Sequence, residues 1–309
     1  MEQSSDTNCN SVSVALAVYN GEKYLPQQLA SLQSQTLKPC ELVVLDDCST
    51  DRSVEIINAF QFPFDKKNFS NEKNMGPVYT FKKLAALCQG NFIAFCDQDD
   101  IWLPTKLELS LCAIKKFDNN IPAVVFSDLS IINEHDTLVQ NSFWKQMAIK
   151  PNLFSLTDIL FGNIITGCTA LINRAMAIEL SKMPLNIMMH DHWIALIAYS
   201  FGKYFYIQEP TVLYRMHHQS VTSKEKHSLF KVFSNDFKNK SIYLEENIQQ
   251  ATEFKKMYLS KLKKENIKQL NEFINLKQKP FLQKRLSRYR RSLMRKFKSI
   301  FLYLLKKFI

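Results

Sequence analysis

The chain has 309 residues, 46% of them hydrophobic and 22% charged, which suffices for one large soluble domain plus an appendage. Residues 1–223 hold 17 Lys+Arg against 22 Asp+Glu and sum to −5, whereas residues 224–309 hold 23 against 7 and sum to +16. The net charge of +11 therefore belongs to two electrically different regions and not to one basic protein.

The polar start MEQSSDTNCNS and the lack of an uninterrupted apolar run of about 18 residues argue against a secretory signal and a classical membrane span. Seven cysteines, an odd number with no CxxC spacing, argue against a disulfide framework or a zinc site and for reduced thiols in the cytosol.

The pattern predicts a buried strand over 12–18, ended by Tyr19-Asn20-Gly21, and a helix over 26–35 with Leu29 and Leu32 inside. A second strand, 42–45, stops at Asp46-Asp47. Ser49 or Asp51 is a candidate cap for the helix that carries Val54, Ile56 and Ile57. A helix over 77–88, a strand over 92–96, a helix over 104–117 opened by proline and a strand over 124–127 follow. Farther on, the pattern gives helices over 156–161, 174–181 and 191–201, and strands over 169–172, 204–207 and 212–216. Long Lys-rich helices begin near 224.

Strands alternating with helices, and apolar runs such as VVL and FIAF, predict an α/β fold with a parallel sheet covered on both faces. Ligands of such sheets sit beyond the carboxyl ends of the strands. Tyr19-Asn20, Asp46-Asp47 and Asp97-Gln98-Asp99-Asp100 each follow a predicted strand, so three distant segments would meet at one rim.

Three carboxylates within four residues repel one another unless a cation is present. Magnesium takes one or two carboxylates and completes its shell with water and phosphate oxygens, and the ion makes a diphosphate a better leaving group. The plain alternative is a loop and helix cap before Pro104. A phosphatase with two aspartates at a strand end would carry Thr or Val where Ile101 stands. No GxGxxG or GxxxxGK[ST] occurs, which removes support from dinucleotide oxidoreductases and P-loop kinases.

The runs SVALAVYNGEKYLPQQLASLQSQT, ELVVLDDCSTDRSVEII and GNFIAFCDQDDIWLPTKL, in that order, resemble the family 2 glycosyltransferases over roughly residues 11–223. Among these the chain is most similar to bacterial rhamnosyltransferase-like enzymes of surface polysaccharide synthesis. The resemblance implies a GT-A fold, a Rossmann-like mixed sheet flanked by helices, here over residues 1–223, followed by a basic helical extension over 224–309. It implies that Tyr19 flanks the nucleotide base, that Asp47 accepts a hydrogen bond from the pyrimidine with Asp46 supporting the loop, and that Asp97 touches the ribose or the metal's water shell. Asp99 would hold Mn2+ or Mg2+ beside the diphosphate, with Asp100 near the sugar.

In Met189-His190-Asp191-His192-Trp193, the family carries an Asp as catalytic base at the position of Asp191. An acceptor hydroxyl must lose its proton as it attacks. The plain reading of Asp191 is an acid stabilised at a helix start. His190 and Trp193 would shape the acceptor pocket, and His192 would support the loop. Gly162 and Gly167 allow close backbone approach near the sugars. Tyr214-Arg215-Met216-His217-His218-Gln219-Ser220 resembles the family's YRxHxxN segment, with Ser220 where Asn is common. There Arg215 would contact the diphosphate and His217 would complete the metal site.

The expected activity is inverting transfer of rhamnose or a hexose from a dTDP- or UDP-sugar to a growing glycan. UDP-galactose and UDP-glucose are alternative donors, and a non-catalytic membrane-associated scaffold is the rival from another class. The stretch 284–309, KRLSRYRRSLMRKFKSIFLYLLKKFI, puts Leu286, Leu293, Phe297, Ile300, Phe301, Leu304 and Leu305 near one helical stripe amid Lys and Arg. That suits the surface of an anionic membrane at the inner face of the cell membrane. Packing on protein is the second reading, and nucleic acid is not an expected partner.

Overall fold

A computed structural model of the chain describes residues 11–217 and 237–278. The basic stretch 284–309 and its membrane reading lie outside the described residues, as do His218 and Ser220. No helix among the described residues is long and apolar enough to cross a membrane.

The sheet is mixed, in the order β3-β2-β1-β4-β8-β6-β9-β5. Strands β1 (Val12–Val18), β2 (Glu41–Asp46), β3 (Asp65–Ser70) and β4 (Phe92–Asp97) are parallel. Each of β1, β2 and β4 is almost fully buried, which is why they read as continuous apolar runs. Helices α1 (Leu25–Gln33), α2 (Ser53–Ala59) and α3 (Pro77–Leu87) connect them. The prolines of α1 and α3 sit at the helix start, where a missing N–H costs nothing.

The parallel expectation holds only for this half. After β5 (Ile101–Trp102), α4 (Lys106–Ile114) and β6 (Ala123–Ile132), the short strand β8 (Leu171–Asn173) inserts antiparallel between β4 and β6. β7 (Leu138–Gln140) pairs antiparallel with β6. The two strands expected over 204–216 are one, β9 (Lys203–Arg215), which runs parallel to β6 and shifts register opposite Asp128. β3 was not legible in the sequence: its DKKNFS is an exposed edge, with charge where an apolar pattern would be.

Helices α5 (Phe143–Gln146), α6 (Leu156–Phe161), α7 (Arg174–Ser181) and α8 (His190–Ser200) cover the second half. α6 starts on a capping box in which Asp158 reaches back to the Ser155 N–H.

From the region beyond 224, α9 (Phe237–Tyr258) and α10 (Lys264–Ile274) are described. They pack on the domain through aromatic rings. Phe254 meets Trp193 edge-on at 5.3 Å, and Phe273 meets Phe161 at 4.8 Å. Glu179 accepts Lys261 Nζ at 2.6 Å, and its backbone carbonyl accepts the Tyr258 hydroxyl at 3.3 Å. This part of the basic region thus shares the core of the domain.

Candidate active site

The carboxyl ends of β1, β2 and β4 deliver the three polar segments to one rim. Gln98 ties two of them together: its Oε1 accepts the Tyr19 N–H at 2.8 Å, and its Nε2 donates to the Tyr19 carbonyl at 2.9 Å. Gly21 makes room for this, since a Cβ there would stand 2.6 Å from Gln98 Cδ. The loop after β1 is also knit to the loop after β2. Asn20 N–H donates to Ser49 Oγ, Gly21 N–H to Ser53 Oγ, and Asn20 Oδ1 accepts the Thr50 N–H. The Tyr19 side chain is left 45% exposed on the rim.

Asp46 and Asp47 are both buried, with different duties. Asp46 Oδ2 accepts the Ser49 N–H at 3.0 Å and holds the loop. Asp47 Oδ1 accepts from Asn71 Nδ2 and the Met75 N–H, and Oδ2 from the Gly76 N–H, each at 2.8 Å. Asn71 Oδ1 in turn accepts Lys83 Nζ at 2.9 Å. A carboxylate has about four acceptor sites, so Asp47 Oδ2 keeps room for one further donor. Asn71 was missed in the sequence because it follows β3, the strand without an apolar pattern.

The acidic cluster separates into an outer pair and an inner residue. Asp99 Oδ2 lies 2.8 Å from His217 Nε2, and both side chains remain partly accessible. Burial, and then the charges of Asp99 and Asp191, push the Asp97 carboxyl up to about 8. Asp100 is fully buried. Its Oδ1 accepts the Arg215 N–H at 3.1 Å, which anchors the loop to the end of β9. Asp100 therefore does not face a sugar.

Carboxylate oxygens beside an imidazole nitrogen, with mutual repulsion raising a neighbouring carboxyl, fit a divalent cation of the manganese or magnesium kind. Asp97, Asp100 and Cys168 also bring one ligand atom each within 4.8 Å of one another. That deeper group suits a cation less well, because burial drives the Cys168 thiol up and keeps it protonated.

Arg215 is not free for a diphosphate. Its side chain is buried; Nε donates to the Asp99 carbonyl at 2.8 Å and Nη2 to Gln27 Oε1 at 2.8 Å. Nη1 donates to the Asn133 carbonyl at 3.3 Å and pairs with Asp136. The Tyr24 ring lies 4.5 Å from the guanidinium carbon and 4.9 Å from the His217 ring. Arg215 positions Asp99 and the segment leading to His217; the expected phosphate contact is replaced by this scaffold role.

Asp191 opens α8 at the same site, near enough for its charge to act on Asp97. Its Oδ2 accepts the Gly167 N–H at 3.1 Å, and the His192 and Gly167 N–H groups and the Asn163 side chain favour its charged form. Burial pushes the carboxyl up to about 6, against the pull of these donors.

His190 is 2% exposed, stacked on Phe81 at 4.1 Å, and burial pushes it down to about 3. Gly167 is needed by this ring more than by a ligand, since a Cβ there would stand 3.0 Å from His190 Nε2. Trp193 is 0% exposed and faces Phe254 and Tyr258 of α9, so it supports the core and not an acceptor pocket. His192 Nε2 meets the Ile159 carbonyl at 2.7 Å, a loop support.

Residues 13–180 match the family model described as Glycosyl transferase family 2. The chain is 28% identical over 219 residues to the dTDP-rhamnosyl transferase RfbG of Shigella flexneri, covering 65% of this chain and 71% of that protein. It is 26% identical over 218 residues to the putative teichuronic acid biosynthesis glycosyltransferase TuaG of Bacillus subtilis, covering 69% and 82%. Among solved structures, S. aureus TarS 1–349 in complex with UDP-GlcNAc superposes with a TM-score of 0.57 at 18% identity, covering 86% of this chain and 81% of that one. The last likeness concerns the fold. With the family model matched over more than half its length, the chain belongs to glycosyl transferase family 2.

Proposed function

We propose that this chain is an inverting, metal-dependent transferase that moves rhamnose or a hexose from a dTDP- or UDP-sugar to a growing glycan of bacterial surface polysaccharide or lipopolysaccharide. The observation that carries this reading is the convergence of Asp97, the Asp99–His217 pair and Asp191 on one rim. The named relatives, a dTDP-rhamnosyl transferase and a teichuronic acid glycosyltransferase, support the substrate class.

Tyr19 flanks the base, and the open acceptor site on Asp47 takes the pyrimidine N–H. Asp97 meets the ribose side of the donor. Asp99 and His217 would hold Mn2+ or Mg2+, which when bound offsets the charge developing on the departing diphosphate. Asp191 receives the proton of the acceptor hydroxyl. A carboxylate raised to about 6 stays ionised at neutral pH yet is a stronger base than a free one. Holding donor and acceptor in line supplies much of the remaining rate. The basic stretch 284–309 would bring the enzyme to the cytoplasmic face of an anionic membrane, where a lipid-linked acceptor resides.

The test is release of nucleoside diphosphate from a panel of dTDP- and UDP-sugars with Mn2+, with and without chelator. Turnover should need the ion and be lost in Asp99→Ala and Asp191→Asn. No release from any donor, or full activity in both variants, would sink the reading and favour a non-catalytic scaffold. Flotation with anionic vesicles, comparing the chain with and without 284–309, tests the membrane role; equal binding removes it.

A further inference from the structure

The Arg215 guanidinium is fully buried, yet the carboxylate that pairs with it comes from the surface. Asp136, its side chain 46% exposed, sits at the tip of the hairpin between β6 and β7. The tip is well held. Asn133 Oδ1 accepts the N–H groups of His135 and Thr137, and the Asn133 carbonyl accepts the Asp136 N–H at 3.2 Å. Asp136 has a φ of 63°, a left-handed conformation that Asp and Asn adopt more readily than other side chains. Lys23 Nζ and Glu134 Oε2, 3.4 Å apart, tie the hairpin to the segment that opens α1.

Asp136, Gln27 and Arg215 close a three-cornered ring. Arg215 Nη1 donates to Asp136 Oδ1, Gln27 Nε2 donates to Asp136 Oδ2 at 2.8 Å, and Arg215 Nη2 donates to Gln27 Oε1 at 2.8 Å. The Gln27 amide, and then the guanidinium, hold the Asp136 carboxyl below the usual range, so it is ionised at neutral pH. The Nε edge of the same fork donates to the Asp99 carbonyl at 2.8 Å. A cation on the Asp99 carboxylate would therefore have a guanidinium within the reach of one residue. Like charges that close repel unless one of them is neutralised. A buried guanidinium deprived of its carboxylate is an uncompensated charge, and it competes with an incoming cation for the acidic loop.

We propose that Asp136 is a positioning residue of the metal site: from the hairpin tip it neutralises Arg215 and holds the fork on the Asp99 carbonyl, which leaves the Asp99–His217 pair open to Mn2+ or Mg2+. The inference rests on the metal-dependent reading of that pair and adds that a surface hairpin sets its affinity for the ion. The charge can be moved without breaking the ring. In the double variant Asp136→Asn with Gln27→Glu, the amide at 136 donates to the carboxylate at 27, and both still accept from the Arg215 fork.

The experiment measures UDP and dTDP binding to the intact chain by calorimetry, with Mn2+ and with chelator. Mn2+ should raise the affinity of the parent chain. Asp136→Asn keeps the size of the side chain and suits the left-handed turn. Its affinity with Mn2+ should fall about tenfold or more, the scale of losses at partners of metal ligands, while its affinity in chelator stays that of the parent. The double variant should recover most of the loss. Unchanged Mn2+-dependent affinity in Asp136→Asn overturns the proposal, and so does a double variant that fails to recover it. A Tm that falls in Asp136→Asn while the effect of Mn2+ stays intact makes Asp136 a purely structural residue and overturns it too. A parent chain whose nucleotide affinity ignores Mn2+ overturns the metal-dependent reading itself.

Discussion

His217 Nε2 stands 2.8 Å from Asp99 Oδ2 although 118 residues separate them in the chain. The end of β9 meets the end of β4 through Arg215, whose backbone N–H binds Asp100 and whose guanidinium binds the Asp99 carbonyl. The outer pair is therefore built into place by the sheet before any ligand arrives. Asp99→Ala and His217→Ala should each lower Mn2+-dependent binding of UDP or dTDP at least about tenfold, the scale on which even outer partners of a metal act. Calorimetry with and without Mn2+ checks this. Equal affinity in the variants would remove the pair from the metal site.

Asp191 should show itself in the pH profile. Only its ionised form can take a proton, and burial raises its carboxyl to about 6. Transfer should therefore rise with pH through about 6, above the usual carboxylate range, and level off beyond it. Asp191→Asn should reduce kcat about 10²–10⁴-fold, the usual worth of a general base, with nucleotide affinity retained. A profile that is flat between pH 4.5 and 7, or near-normal kcat in the variant, would exclude Asp191 as the base.

The sequence exposed the rim because rim chemistry and strand pattern coincide there. Tyr19, Asp46-Asp47 and Asp97–Asp100 each follow a buried apolar strand, so the strand pattern alone puts them at one rim. Asp191 was legible only through its likeness to the family, since an acid at a helix start has an ordinary explanation. Arg215 and Trp193 misled because their types suit phosphate and sugar, and only the packing reveals that their partners are Asp136, Gln27 and the rings of α9.

The buried Arg215 predicts a stability effect that a phosphate ligand would not give. Arg215→Lys cannot reproduce the fork that spans Asp99, Gln27, Asn133 and Asp136. It should destabilise the fold by about 3 kcal/mol, the range for breaking a buried charged network, as read by denaturant unfolding. A stable variant with only weakened donor binding would return Arg215 to the diphosphate.

Packing of α9 makes Phe254 a core residue: it is 0% exposed and meets Trp193, Tyr258 and Phe201. Phe254→Ala should cost about 3–5 kcal/mol in a single unfolding transition. Two separate transitions, with the first 217 residues unaffected, would mean that α9 is only an appendage.

Gly167 is the most constrained small residue near Asp191. A Cβ there would lie 3.0 Å from His190 Nε2 and 3.7 Å from Asp191 Oδ2. His190 has little room to retreat, being stacked on Phe81 at 4.1 Å and set edge-on to Phe95 at 5.1 Å. In Gly167→Ala the backbone must yield instead, and with it the N–H that orients the Asp191 carboxylate. The cost should be about 1–3 kcal/mol of stability, as for other overpacked sites, together with a fall in kcat about tenfold or greater. Adding His190→Ala opens the space for the new methyl, so the double variant should recover kcat relative to Gly167→Ala alone. If it does not, the glycine serves a ligand directly and not the His190–Asp191 geometry.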